Sequence, residues 1–137
     1  MPNTAMFDNM EEVLTIKVNV TGNNSVTVGD ENRVMILFDG EASGPYFTGI
    51  IMPGGVDTQK HKGREGSLSA RYMLDGKDCD GNACRIFIEN NAVDGAGYTT
   101  PTVLTDSKAL AWMNSTKLTG RIDASRAGLI IRIYRDK

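Results

Sequence analysis

A chain of 137 residues with 40% apolar and 23% charged side chains has the size and composition of one soluble globular domain with a core of its own. Fifteen basic against seventeen acidic residues give a net charge of -2, which excludes a nucleic-acid surface built on excess positive charge. No apolar run approaches the ~20 residues of a membrane helix, and Met1 to Glu12 lacks the basic start and apolar segment of a secretory leader, so the expected setting is the cytoplasm, away from any membrane.

Taken in order, Val13 to Val20 alternates and is rich in branched residues, which predicts a strand with Leu14, Ile16, Val18 and Val20 on one face. Thr21 to Ser25 reads as a turn, Arg33 to Phe38 as the next strand, and Asp39-Gly40 as a break. The stretch from Phe38 to Gln59 collects Gly40, Gly44, Gly49, Gly54, Gly55, Pro45 and Pro53 around two short apolar runs. Such residues stand where a backbone turns, bulges or closely approaches a neighbour. Tyr46 to Met52 is the predicted strand within it; Pro53-Gly54-Gly55 is a kink, followed by a polar loop from Thr58 to Gly66.

Ser67 to Leu74 alternates, with Leu68, Ala70, Tyr72 and Leu74 facing one way and Ser69, Arg71 and Met73 the other. Asp75-Gly76 and Asp80-Gly81 are hairpin signals before a returning strand, Cys84 to Asn90. Tyr98 to Leu104 forms a strand that Pro101 confines to an edge or to limited pairing. Asp106 to Asn114 has helix formers and a capping Asp106, which predicts one short helix. Leu118 to Ile122 and Leu129 to Tyr134 close the chain as strands. The expectation is an all-β fold: a single domain over 1–137, a small antiparallel β-barrel of about eight strands, chosen over a sandwich because closure removes exposed edges.

Cys79 and Cys84 flank a turn and are expected to face each other as free thiols in a reducing compartment. With His61 as the sole histidine, they lack the spacing of a metal site, and neither metal nor cofactor is expected. No nucleophile motif accompanies His61, and Gly54-Gly55 opens no phosphate loop. Lys60-His61-Lys62-Gly63-Arg64 reads as a solvated loop or as a contact for an anionic ligand.

The candidate ligand-binding residues are Asp57, Arg71, Glu89, Tyr72 and Trp112. Asp57, just past the kink, serves as a general base or anchor in a barrel mouth, or else pins the turn through backbone N–H groups. Arg71 either faces inward with Asp57 or Glu89 as its carboxylate partner, or stands in solvent. A cross-strand Arg71–Glu89 pair is equally compatible with a structural role. Tyr72 and Trp112 are core or ligand shelf, Trp112 plugging one barrel end.

Several blocks carry a resemblance: Gly44-Pro45-Tyr46-Phe47-Thr48-Gly49, Met52-Pro53-Gly54-Gly55-Val56-Asp57, Ala70-Arg71-Tyr72, Asp80-Gly81, Ile86-Phe87-Ile88-Glu89-Asn90 and Ala111-Trp112-Met113-Asn114. In this order they resemble domain-of-unknown-function family 3237, also called uncharacterised protein family 0311. The resemblance implies a compact antiparallel β-barrel of bacterial, cytoplasmic origin with no settled activity. Ser69 stands where many relatives carry an acidic residue and Thr58 where many carry Trp, so a ligand does not transfer from them. Three functional classes follow. The first is small-molecule binding in the barrel mouth or lumen. The second is metal-independent acid–base catalysis of the isomerase, cyclase or lyase kind, with Asp57 as base and Arg71 stabilising developing charge. The third is a structural barrel that forms homo-oligomers.

Overall fold

The computed structural model describes residues 4–126 and 128–137. Among the described residues nine antiparallel strands form one sheet: β1 (Met10–Val28), β2 (Glu31–Ser43), β3 (Phe47–Ile51), β4 (Gly55–Lys62), β5 (Glu65–Asp78), β6 (Ala83–Val93), β7 (Thr100–Thr105), β8 (Leu118–Ser125) and β9 (Gly128–Asp136). Their order is β7-β6-β5-β3-β2-β1-β9-β8, with β4 also lying between β2 and β5. The two ends of this order meet where Thr99, just before β7, bridges Gly120 of β8. Thr99 N donates to Gly120 O at 2.8 Å and Gly120 N to Thr99 O at 2.9 Å, so the sheet curls round into a barrel.

β3 and β4 are one strand with a kink. Both pair with β2 on one side and β5 on the other. Ile51 stands opposite Leu74 and Val56 opposite Arg71, so five steps on one strand match three on its partner. The two surplus residues fall at Pro53-Gly54, where proline withdraws a donor from the ladder. The predicted polar loop from Thr58 is therefore mostly strand: its residues are polar because this end of the barrel is partly wet, and pairing on both sides overrides their weak propensity.

Other punctuation was also absorbed by pairing. Thr21 to Ser25 is not a turn but part of β1, which bulges between Val20 and Gly22; the turn lies at Gly29-Asp30. Gly40 sits inside β2 opposite Val18. Asp75-Gly76 is mid-strand, Gly76 opposite both Gly49 and Cys84, while the real turn spans Cys79–Asn82. There Asp78 Oδ1 accepts from Asp80 N at 3.0 Å and Asn82 N at 3.1 Å. Cys79 is consequently an exposed turn residue and Cys84 a buried strand residue; they are free thiols but not cross-strand neighbours.

The expected helix is a single 3₁₀ turn, Ala111–Asn114. Its approach is organised by Ser107, whose Oγ accepts from Leu110 N at 3.1 Å and donates to Asp78 Oδ2 at 2.6 Å. Asp106 does not cap it; its Oδ1 accepts from Arg85 N. Asn114 exchanges two hydrogen bonds with the Thr105 backbone, which closes the loop before a longer helix can form. Leu110 and Met113 are thereby sealed into the core.

The barrel interior follows period-2 alternation: Leu14, Ile16 and Val18 from β1, Tyr72 and Leu74 from β5, Ile86 and Ile88 from β6, and Ile131 and Ile133 from β9 form one buried cluster. No helix among the described residues is long and apolar enough to cross a membrane.

Candidate functional site

The core does not fill the barrel. Toward the end where β1 leaves β9, a cavity of about 100 Å³ remains between Val18, Ile36, Phe38, Leu68, Ile122 and Ile131, with Asp57, Gln59 and Asn90 on its wall. The register explains how the polar groups arrive. Ile36, Asp57, Ala70 and Asn90 are successive cross-strand partners on β2, β4, β5 and β6, so all four point inward on one rung. Ala70, small and buried, leaves open the space between Asp57 and Asn90.

Several polar atoms here are unspent. On the cavity wall, Asp57 Oδ1 and both amide atoms of Asn90 are buried without a hydrogen-bond partner within the chain; beyond its lining, so are Thr99 Oγ1 and Tyr72 OH. Asn90 is 1% exposed. Each such atom costs about 1–3 kcal/mol if left unmet, so this end of the barrel is built to take a polar partner, ordered water or a ligand group. Asn90 and Thr99 both flank Gly120, at the seam that closes the barrel. Tyr72 lies two residues along β5 from Ala70 and meets Phe38 edge-on, ring centroids 5.4 Å apart. Burial pushes its phenol far above the ordinary range, so it is a neutral donor.

Asp57 is half-buried. Its Oδ2 accepts from Gln59 Nε2 at 2.9 Å, and Gln59 Oε1 accepts from His61 Nε2 at 3.2 Å. The three residues lie two apart on one face of β4 and lead from the cavity to the rim. Desolvation raises the Asp57 pKa from 3.8, partly offset by the bond from Gln59.

The structure brings together only part of the set expected from sequence. Asp57 and Tyr72 point into the barrel. Arg71 and Glu89 do not: they are register partners on the outer face, in a cleft of about 530 Å³ with Thr58, Lys60, Ser67 and Ser69. Among the described residues no ion pair joins them, and Glu89 Oε2 instead accepts from Asn91 Nδ2 at 3.2 Å. Of the two alternatives for Arg71, the structure takes the outward one, because Asp57 and Arg71 have opposite parity on paired strands. Trp112 lies toward the other end of the barrel, against Tyr46 at 5.5 Å and under the Arg135 guanidinium at 4.2 Å. Arg135 in turn bonds Tyr46 Oη and Glu11, so this aromatic group is spent on wall packing.

Gln59, Asn90 and Thr99 are the residues sequence reasoning missed. Asp57, Gln59 and His61 alternate as polar residues at period 2, a signal of one strand face that an assumed loop concealed. Asn90 ends an inward series of Cys84, Ile86 and Ile88, and a polar residue closing an apolar face is itself a signal.

A UPF0311 protein of Clostridium acetobutylicum is 33% identical over 91 residues, 62% of this chain and 54% of that protein, so the match spans about half the length of the curated relative. The crystal structure of a protein of unknown function from Clostridium acetobutylicum ATCC 824 superposes with a TM-score of 0.79 at 26% identity, covering 94% of this chain and 97% of that one. A protein described as an enzyme from Penicillium herquei shares the fold, with a TM-score of 0.72 at 15% identity and 94% of each chain covered. The model of the family described as "Protein of unknown function (DUF3237)" matches residues 9–95, the stretch that carries Asp57, Gln59, Ala70 and Asn90, and the chain belongs to that family.

Proposed function

We propose that the protein binds an uncharged, largely apolar small molecule in the barrel lumen, with Asp57 and Asn90 reading its polar groups. The observation that carries this is the set of unpartnered buried polar atoms on an otherwise apolar cavity. Asp57 Oδ1 accepts, so the ligand supplies a hydroxyl or N–H there. The Asn90 amide offers a donor and an acceptor, which suits a carbonyl or hydroxyl beside the first group. An anionic ligand is disfavoured by the Asp57 carboxylate in a low-dielectric wall. The cytoplasm is the compartment we assign, since a reducing setting suits the free Cys79 and Cys84.

A second reading is acid–base chemistry on the same ligand. It is favoured by the raised Asp57 pKa in a half-buried, solvent-poor position, the condition that makes a carboxylate a stronger base. The Penicillium herquei relative, an enzyme on the same fold, adds to it. In this reading Asp57 takes a proton and the Asn90 amide donates to the oxygen on which charge develops.

Methyl NMR tests the binding reading with a panel of neutral hydroxyl- and carbonyl-bearing apolar compounds. Binders should shift the Ile36, Ile122 and Ile131 methyls, and Ala70→Phe, which fills the cavity, should weaken them at least about tenfold. Binders that leave those methyls unmoved, or that bind Ala70→Phe equally well, would place the site elsewhere. Turnover of a bound compound that is lost in Asp57→Asn while binding persists would select the enzymatic reading.

A further inference from the structure

The β1–β2 hairpin runs on beyond the barrel wall. β1 pairs with β9 only as far as Val18, opposite Leu129, whereas its pairing with β2 continues to Val28, opposite Glu31. Among the described residues, the outer edge of β1 from Gly22 to Val28 has no strand beside it. Asn23 to Val28 are all exposed, Val26 at 62% and Val28 at 76%. A free edge offers a row of backbone donors and acceptors to any strand that fits, and natural sheets normally guard one with Lys, Pro or an inserted bulge.

This edge carries no guard. From Val18 to Gly29 there is no charged residue and no proline, in a chain where 23% of residues are charged. The bulge at Val20/Gly22 sits at the base of the segment and leaves the rest regular. Gly22, Asn24, Val26 and Val28 lie on the outer face, opposite Leu37, Met35, Arg33 and Glu31; Asn23, Ser25 and Thr27 lie on the inner face.

We infer that Gly22 to Val28 is the site at which a second copy of this chain adds, edge to edge and antiparallel about a two-fold axis. Such an axis through Ser25 sets Gly22 against Val28 and Asn24 against Val26 on the outer face, and Asn23 against Thr27 and Ser25 against Ser25 on the inner. Uncharged residues meet uncharged residues throughout, which is why a like segment is the fitting occupant. The pairing also makes the exposed Val26, Val28 and Met35 of each copy continuous across the joint, burying apolar area that the isolated chain leaves in water.

Sedimentation across a concentration series, with charges placed at the self-opposed residue, tests the inference. Wild type should dimerise as concentration rises. Ser25→Lys and Ser25→Glu each bring like charges together and should weaken dimerisation at least about tenfold, while their equimolar mixture should pair within about threefold of wild type. Hydrogen exchange on wild type gives a second readout independent of any variant: amides in Gly22 to Val28 should slow as concentration rises. A wild type that stays monomeric to its solubility limit, or a dimer indifferent to both charges with no concentration-dependent protection at 22–28, would overturn the inference.

Discussion

Asp57 is where burial, charge and hydrogen bonding conflict. Its carboxylate is half-buried, one oxygen is held by Gln59, and the other has no partner. Because desolvation raises its folded pKa above 3.8, the native state holds a proton that the unfolded chain has lost, over the interval between the two values. Stability therefore falls as pH rises through that interval and stays lowered above it. Asp57→Asn removes this penalty and keeps an oxygen for Gln59. It should leave stability within about 1 kcal/mol of wild type, or raise it, at neutral pH, and any advantage should vanish below the unfolded pKa. Urea denaturation at neutral and acidic pH measures both. A loss of about 3 kcal/mol or more would make Asp57 a structural pin and remove it from the site.

At the scale of elements, strands packed on both sides overrode local punctuation. Gly49 and Gly76 are register partners on β3 and β5, and the backbones approach so closely that a Cβ on Gly76 would stand 2.1 Å from Thr48 O and 2.6 Å from the Gly49 Cα. What the sequence presents as an Asp-Gly turn is a contact between two strands. Gly76→Ala should therefore cost about 2–4 kcal/mol, since backbone and not a flexible side chain must yield. Chemical denaturation would show it; a change under about 0.5 kcal/mol would mean the strands separate freely there.

At the scale of the whole molecule, closure rests on a narrow seam. β7 and β8 meet through the Thr99–Gly120 bridge, and a Cβ on Gly120 would lie 2.0 Å from Thr99 Oγ1. Thr99 is buried and β-branched, so it cannot swing aside freely. Gly120→Ala should cost about 1–3 kcal/mol and speed hydrogen exchange at the Thr99 and Gly120 amides. Thr99→Ala in the same chain should recover much of the loss, because it removes the oxygen in the way; a double-mutant cycle reads the coupling. Additive effects would place the cost elsewhere than the seam.

The sequence by itself determined the all-β class and the strands with clean alternation, such as Ser67 to Leu74 and Cys84 to Asn90, with the two faces of each but not which of them looks inward. Period 2 is a local property, and one buried face makes it readable without neighbours. It also marked the Pro53-Gly54 kink and Asp57. Only the tertiary structure decided that Thr58 to Lys62 is strand, that Gly76 is a contact, and that Asp106 to Asn114 makes a single 3₁₀ turn. In each case the residues' weak local preferences yielded to pairing or packing from distant parts of the chain. The site was legible only in part for the same reason. Whether Arg71 or Asp57 looks into the lumen depends on register across a two-residue kink, and Asn90 and Thr99 come together only because β7 and β8 close the barrel beside them.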